Sequence, residues 1–173
     1  MNYYGAKNMA DSWRTVRKNT IQVAEEIPED KYAFKAAAET RSVAEILAHL
    51  AVSPHWAEQL HFVEKKATVS MEDFGRYMGE AGETAKALTS KAAIIDALKA
   101  RGEAFAQHLD SISEGALGQM VSFAPPIPGP AKSRFEMLLG VKEHEMHHRA
   151  QLNLIERMLG IVPHLTRARQ ARS

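Results

Sequence analysis

The chain has 173 residues, 45% hydrophobic and 25% charged, a length that predicts one domain with a real core and the composition of a globular protein. Lys plus Arg (22) nearly cancels Asp plus Glu (21), a formal net charge of +1 that excludes a dedicated, strongly basic nucleic-acid binder. There is no cysteine, which excludes disulfide staples, thiolate metal ligands and a cysteine nucleophile, so any metal must be held by Asp, Glu or the eight His.

In chain order, residues 1–7 lack the apolar core of a secretory signal, and no apolar run approaches the ~18 residues needed to cross a bilayer. The expectation is a cytoplasmic protein without a membrane partner. The hydrophobic period is helical nearly throughout. A first helix is predicted over residues 10–24, carrying Trp13, Val16, Ile21 and Val23 and ended by Ile27-Pro28-Glu29-Asp30. Residues 31–41 predict an ordered loop with Tyr32 and Phe34. Ser42-Val43-Ala44-Glu45 is a capping box, in which hydroxyl and carboxylate satisfy free amides at a helix start. The helix it opens carries Val43, Ile46, Leu47, Leu50 and Ala51, with His49 inside it. Pro54 removes a backbone donor and should kink or restart this helix before His55, Trp56, Leu60, His61 and Phe62.

Residues 64–83, with Phe74, Tyr77 and Met78, are weakly patterned and predict a short helix on a long connection. A third long helix is predicted from after Thr89-Ser90 to about Leu109, with Ala93, Ile94, Leu98, Ala104 and Phe105 on one stripe. Residues 123–131 hold four prolines and a glycine and predict an extended loop. Ser133 and Glu136 form a second capping box for a last helix running to about Leu159, closed by Gly160 and followed by Pro163. Arg167, Arg169 and Arg172 read as a frayed, solvated tail. Four long helices describe an all-α four-helix bundle with long connections.

The chemistry concentrates in His144-Glu145-Met146-His147-His148. Residues four apart stack on one helix face, so His144 and His148 offer two imidazoles to one transition metal. The stretch also spells His-Glu-x-x-His, the zinc-peptidase pattern with Glu as general base. Against that reading, Glu143, His147 and Arg149 make the helix too polar, and no third ligand is well placed downstream of His148. Glu145 is then a surface carboxylate or one that orients a histidine. Val141, His144 or Glu145, His148, Leu152, Ile155 and Leu159 recur at steps of three and four, so the histidine pair belongs to or borders the apolar stripe. His49, in the apolar context Ile46-Leu47-Ala48-His49-Leu50, is the natural third ligand, since bundle cores assemble metal sites from facing helices. His147 falls on the flank of the pair. His55 and His61 read as surface or half-buried residues, and His108 and His164 have no comparable partner spacing.

The run His144-Glu145-Met146-His147-His148-Arg149-Ala150-Gln151 resembles the His-x-x-x-His-Arg-Gly-Gln of the last helix of the DinB-like superfamily, with Ala150 in place of the usual Gly. Val43 through His49-Leu50 resembles the family's first ligand helix. The resemblance implies a bundle holding one divalent ion, Ni, Zn, Mn or Fe, on His49, His144 and His148, and a homodimer. It implies a small-molecule substrate and either a transferase that uses a low-molecular-weight thiol or a hydrolase, the metal activating a thiol or water. Glu145, Arg149, Gln151 and Trp56 are the candidates for orienting ligands or positioning substrate, and Trp56 and the loop over residues 123–130 either line a pocket mouth or pack. The competing expectation is a non-catalytic, metal-stabilised bundle acting as a stress-response or interaction module.

Overall fold

The computed structural model describes residues 4–171. Helix α1 (Ala6–Glu26) buries Met9, Trp13, Val16 and Val23 along one stripe and ends before Pro28. It is longer at both ends than the periodicity indicates. The following loop is ordered because Tyr32 is buried and its hydroxyl donates to the Ala24 carbonyl at 2.7 Å.

Helix α2 (Val43–Val52) starts where its capping box places it: the Ser42 hydroxyl accepts from Glu45 N, and Ser42 N donates to the Glu45 carboxylate at 2.6 Å. Pro54 breaks the run into a four-residue helix α3 (His55–Glu58) and a widened π turn over Gln59–Val63. Then come β1 (Thr68–Val69), α4 (Met71–Ala87), α5 (Lys91–Ser111), the short α6 (Glu114–Leu117), β2 (Met120–Phe123), β3 (Lys132–Ser133), α7 (Arg134–Met158) and α8 (His164–Gln170). The strands form a small sheet in the order β1-β2-β3, with β1 and β2 parallel and β2 and β3 antiparallel.

Helices α1, α2, α5 and α7 form the four-helix bundle, with α1 packed on α5 and α7 and α2 on α5, α4 and α7. One end of the core gathers Val23, Ile27, Leu47, Leu50, Leu98 and Leu152; the other gathers Met9, Trp13, Phe105, Leu109, Leu138 and Val141. Among the described residues, no helix is long and apolar enough to cross a membrane.

Two expectations are corrected. Residues 64–83 do not carry a short helix: α4 is 17 residues long, capped by Ser70 and Asp73, and buries only Tyr77 and Ala81. Nor is the basic tail frayed at Arg167, which lies in α8 and ion-pairs with Glu26 of α1 at 2.6 Å. Arg172, which belongs to the same expectation, lies outside the described residues. At the end of α7, Gly160 takes φ 78°, the left-handed conformation that favours glycine.

Candidate metal centre

His49 sits in the last turn of α2, and His144 and His148 lie one turn apart on α7. The packing of α2 against α7 brings the three rings together, with centroid separations of 4.9 Å (His49–His144), 4.9 Å (His49–His148) and 4.6 Å (His144–His148). One ring nitrogen from each lies within 4.8 Å of the others. The Nε2 atoms of His49 and His144 are 3.1 Å apart. Two nitrogens bound ~2.0–2.1 Å from one ion lie roughly 2.8–3.4 Å apart for angles between 90° and tetrahedral, so this spacing suits a shared cation.

The rings are also held in the right protonation state. Burial foremost, then the positive field of Arg41 and the neighbouring imidazoles, pushes the His49 pKa down to about 4. His144 is likewise lowered to about 4, by burial and then by His148, His147 and Arg41. Burial lowers His148 as well, against a bond to Gln151 that acts the other way. Neutral imidazoles are the form that binds metal. The Gln151 carbonyl oxygen lies 2.8 Å from His148 Nδ1, so that nitrogen is the donor and Nε2 keeps its lone pair. The Gln151 amide nitrogen also lies 3.3 Å from Nε2 of His147, an exposed flank residue. Three nitrogen donors fit a borderline divalent ion such as Ni, Zn, Mn or Fe and do not choose among them.

Three clefts meet at this cluster. One, of about 440 Å³, is lined by His49, His144, Trp56, Phe74, Phe123 and Met137, among others. Trp56 stacks on Phe74 there, with centroids 5.9 Å apart and 23° between planes, so Trp56 and Phe123 both line the cleft as well as pack. A second, of about 370 Å³, runs between α2 and α4 past His49, Ser53 and Met78 to Arg41. The third, of about 340 Å³, joins His148 and Gln151 to Ile46, Leu154, Ile155 and Arg41.

Glu145 is elsewhere. It is neither on the surface nor orienting a histidine: it is fully buried on the core side of α7, and its Oε2 accepts from Arg17 of α1 at 2.7 Å. Its Oε1 has no hydrogen-bond partner. The residue that would be the general base of a zinc peptidase is thus committed to an ion pair inside the bundle. Arg149 reaches α1 as well, donating to the Val16 carbonyl at 3.1 Å, a packing contact. His55 pairs with Glu80 at 2.7 Å. His61, read as surface or half-buried, is instead buried within the π turn, its Nδ1 3.0 Å from Arg134. His108 stacks on Phe62, and His164 Nε2 lies 3.2 Å from Asn19 Oδ1. The sequence reading missed Arg17 and Arg41. No local signal marks Arg17, whose carboxylate partner lies 128 residues away; Arg41 could have been found from its place immediately before the capped start of the His49 helix.

The sequence pattern of the DinB superfamily matches residues 12–152, a span that includes all three histidines. Among solved structures, the fold is similar to a DinB-like protein from Bacillus subtilis, at 20% identity and TM-score 0.65 over 88% of this chain and 92% of that one. It is also similar to a DinB-family structure from Exiguobacterium sibiricum, at 18% identity and TM-score 0.62 over 90% of this chain and 92% of that one. At such identities the likeness is one of fold. No curated protein matches the sequence.

Proposed function

The chain belongs to the DinB superfamily, and we propose that it is a divalent-metal-dependent enzyme acting on a small molecule, a thiol-dependent S-transferase or a hydrolase, with His49, His144 and His148 as the metal ligands. The observation that carries this reading is the meeting of three neutral imidazoles at the junction of three clefts, with no fourth His, Asp or Glu joining the group among the described residues. Three protein ligands are the mark of catalytic sites, whereas structural sites are closed by four. The chemistry a bound divalent ion supplies is a lowered pKa for a thiol or water, which gives a nucleophile at neutral pH.

The chain's own residues do the rest. Gln151 fixes the His148 tautomer, and burial keeps His49 and His144 deprotonated. Trp56, Phe74 and Phe123 offer an apolar wall to a substrate in the 440 Å³ cleft beside His49 and His144. The reading includes a homodimer, supported by the exposed apolar side chains of Met158 on α7 and Val162 and Leu165 beyond it.

The test is elemental analysis of chain purified without chelator, followed by activity screening of the metal-loaded protein with bacillithiol, mycothiol, glutathione and coenzyme A against electrophilic acceptors. The expected result is one divalent ion per chain, lost in His49→Ala, His144→Ala and His148→Ala, and a turnover lost with it. A chain that takes up no ion sinks the proposal. Stoichiometric metal with no turnover of any acceptor, by thiol or by water, favours the metal-stabilised interaction module instead.

A further inference from the structure

Arg41 places a permanent positive charge beside a site designed for a cation. It lines two of the three clefts that meet at the histidines, one shared with His148 and the other with His49. Its charge is felt by all three imidazoles. Among the described residues its guanidinium makes no ion pair and no hydrogen bond. Arg14, Arg17, Arg76 and Arg167, in contrast, each hold a carboxylate within 2.9 Å.

Among the described residues no carboxylate pairs with this charge. The three ligands are neutral, and Glu145 is spent on Arg17. Glu45, on the wall of the His49 cleft, closes the cap of α2 and pairs with Lys35 at 3.7 Å. A divalent ion and a guanidinium would together put three positive charges at one partly desolvated junction, an arrangement that Coulomb repulsion disfavours until an anion lies between them. The cleft shared with His148 supplies one guanidinium, and its remaining walls are largely apolar, with Ile46, Leu154 and Ile155. One guanidinium fork matches the two oxygens of a carboxylate, while a phosphate would call for more donors than this cleft holds.

We propose that Arg41 selects the substrate class: a small carboxylate whose head group is held by Arg41 next to the three-histidine site and whose apolar body lies along Ile46, Leu154 and Ile155. This rests on the metal reading above. The carboxylate belongs to the electrophilic acceptor or to the thiol co-substrate, and the two sources are separable by experiment.

The experiment uses cobalt-loaded protein and calorimetric titration with hexanoate and with hexanamide, its uncharged counterpart. Hexanoate is expected to bind at least about 10-fold more weakly to Arg41→Ala than to the native chain, with Arg41→Lys falling between the two because it keeps the charge and loses the fork, and with hexanamide weak and indifferent to all three. Cobalt content and thermal melting are expected to be unchanged, since Arg41 is an exposed loop residue. Parallel titrations with 3-mercaptopropanoate and 2-mercaptoethanol, followed by sulfur-to-cobalt absorption, assign the source. A loss in Arg41→Ala confined to mercaptopropanoate marks the thiol's carboxylate, and a loss confined to hexanoate marks the acceptor's. Binding of hexanoate and of 3-mercaptopropanoate that is in both cases equal in native and Arg41→Ala protein, or no preference for either carboxylate over its uncharged counterpart, overturns the assignment. Failure to take up cobalt overturns the metal reading instead, and Arg41 is then judged by the same hexanoate comparison on the metal-free chains.

Discussion

Glu156 is a carboxyl group that the bundle encloses without a partner. It is fully buried on α7, and neither of its oxygens accepts a hydrogen bond. Burial first, then the negative charge of Glu26, raises its pKa from 4.5 to about 7. The folded chain therefore binds this proton more tightly than the unfolded chain does. The resulting stabilisation is fully present below pH 4.5 and is lost as the pH rises through 7. Over that window the loss is on the order of 3 kcal/mol. Glu156→Gln keeps the shape and removes the ionisation, so urea unfolding should show the variant matching the native chain near pH 5 and exceeding it by up to that amount at pH 8. An unchanged difference between the two pH values would show that Glu156 does not titrate in this window. Glu156 could not be placed in the core from sequence, and Glu145 could be placed there only as an alternative to His144 on the apolar stripe. A glutamate on a helix reads as polar surface, and the partner that buries Glu145 comes from the first helix of the chain. The three histidines were legible because two of them share a helix face and the third stands alone in an apolar stretch.

At the level of elements, one side chain joins the four bundle helices. Arg17 of α1 donates to the Leu50 carbonyl of α2 at 2.9 Å, to the Leu98 carbonyl of α5 at 3.3 Å and to Glu145 of α7. Its stem lies against Gly102 of α5, where a Cβ would come within 2.6 Å of Arg17 Cγ, so the glycine makes the room. Removing one partner leaves the other charge buried and unpaired. Glu145→Leu is expected to destabilise by about 3–5 kcal/mol, and the double variant Arg17→Met/Glu145→Leu to recover most of it. Chemical denaturation of the two single variants and the double measures this cycle, and additive losses would refute the coupling. The helices of this frame were legible where a cap coincided with a strong apolar stripe, as at Ser42 and Ser90. Helix α4 has a cap of the same kind at Ser70, but Gly75, Gly79 and Gly82 dilute its stripe and only Tyr77 and Ala81 are buried. Helix α8 has no local mark in the sequence because the carboxylate that anchors it, Glu26, lies 141 residues away.

For the molecule as a whole, the consequence of the bundle is that His49 and His144, 95 residues apart in the chain, face one another across α2 and α7. The unfolded chain has no such juxtaposition, so an ion held by all three histidines would bind the folded state alone. Binding of that kind stabilises by mass action: at a free metal concentration 100 times Kd the gain is about 2.7 kcal/mol. For a chain of this size that corresponds to a rise in Tm of roughly 5–10 °C. The expected outcome of thermal melting with and without added Zn or Ni is a rise of that size in the native chain, reversed by chelator and absent in His148→Ala. Gln151→Ala should give a smaller rise than native at the same metal concentration, because His148 then loses the partner that fixes its tautomer, and ligand-orienting contacts are typically worth 10–100-fold in metal affinity. If metal raises Tm equally in native and His148→Ala protein, the ion is held elsewhere, and the junction of the three clefts is not where it acts.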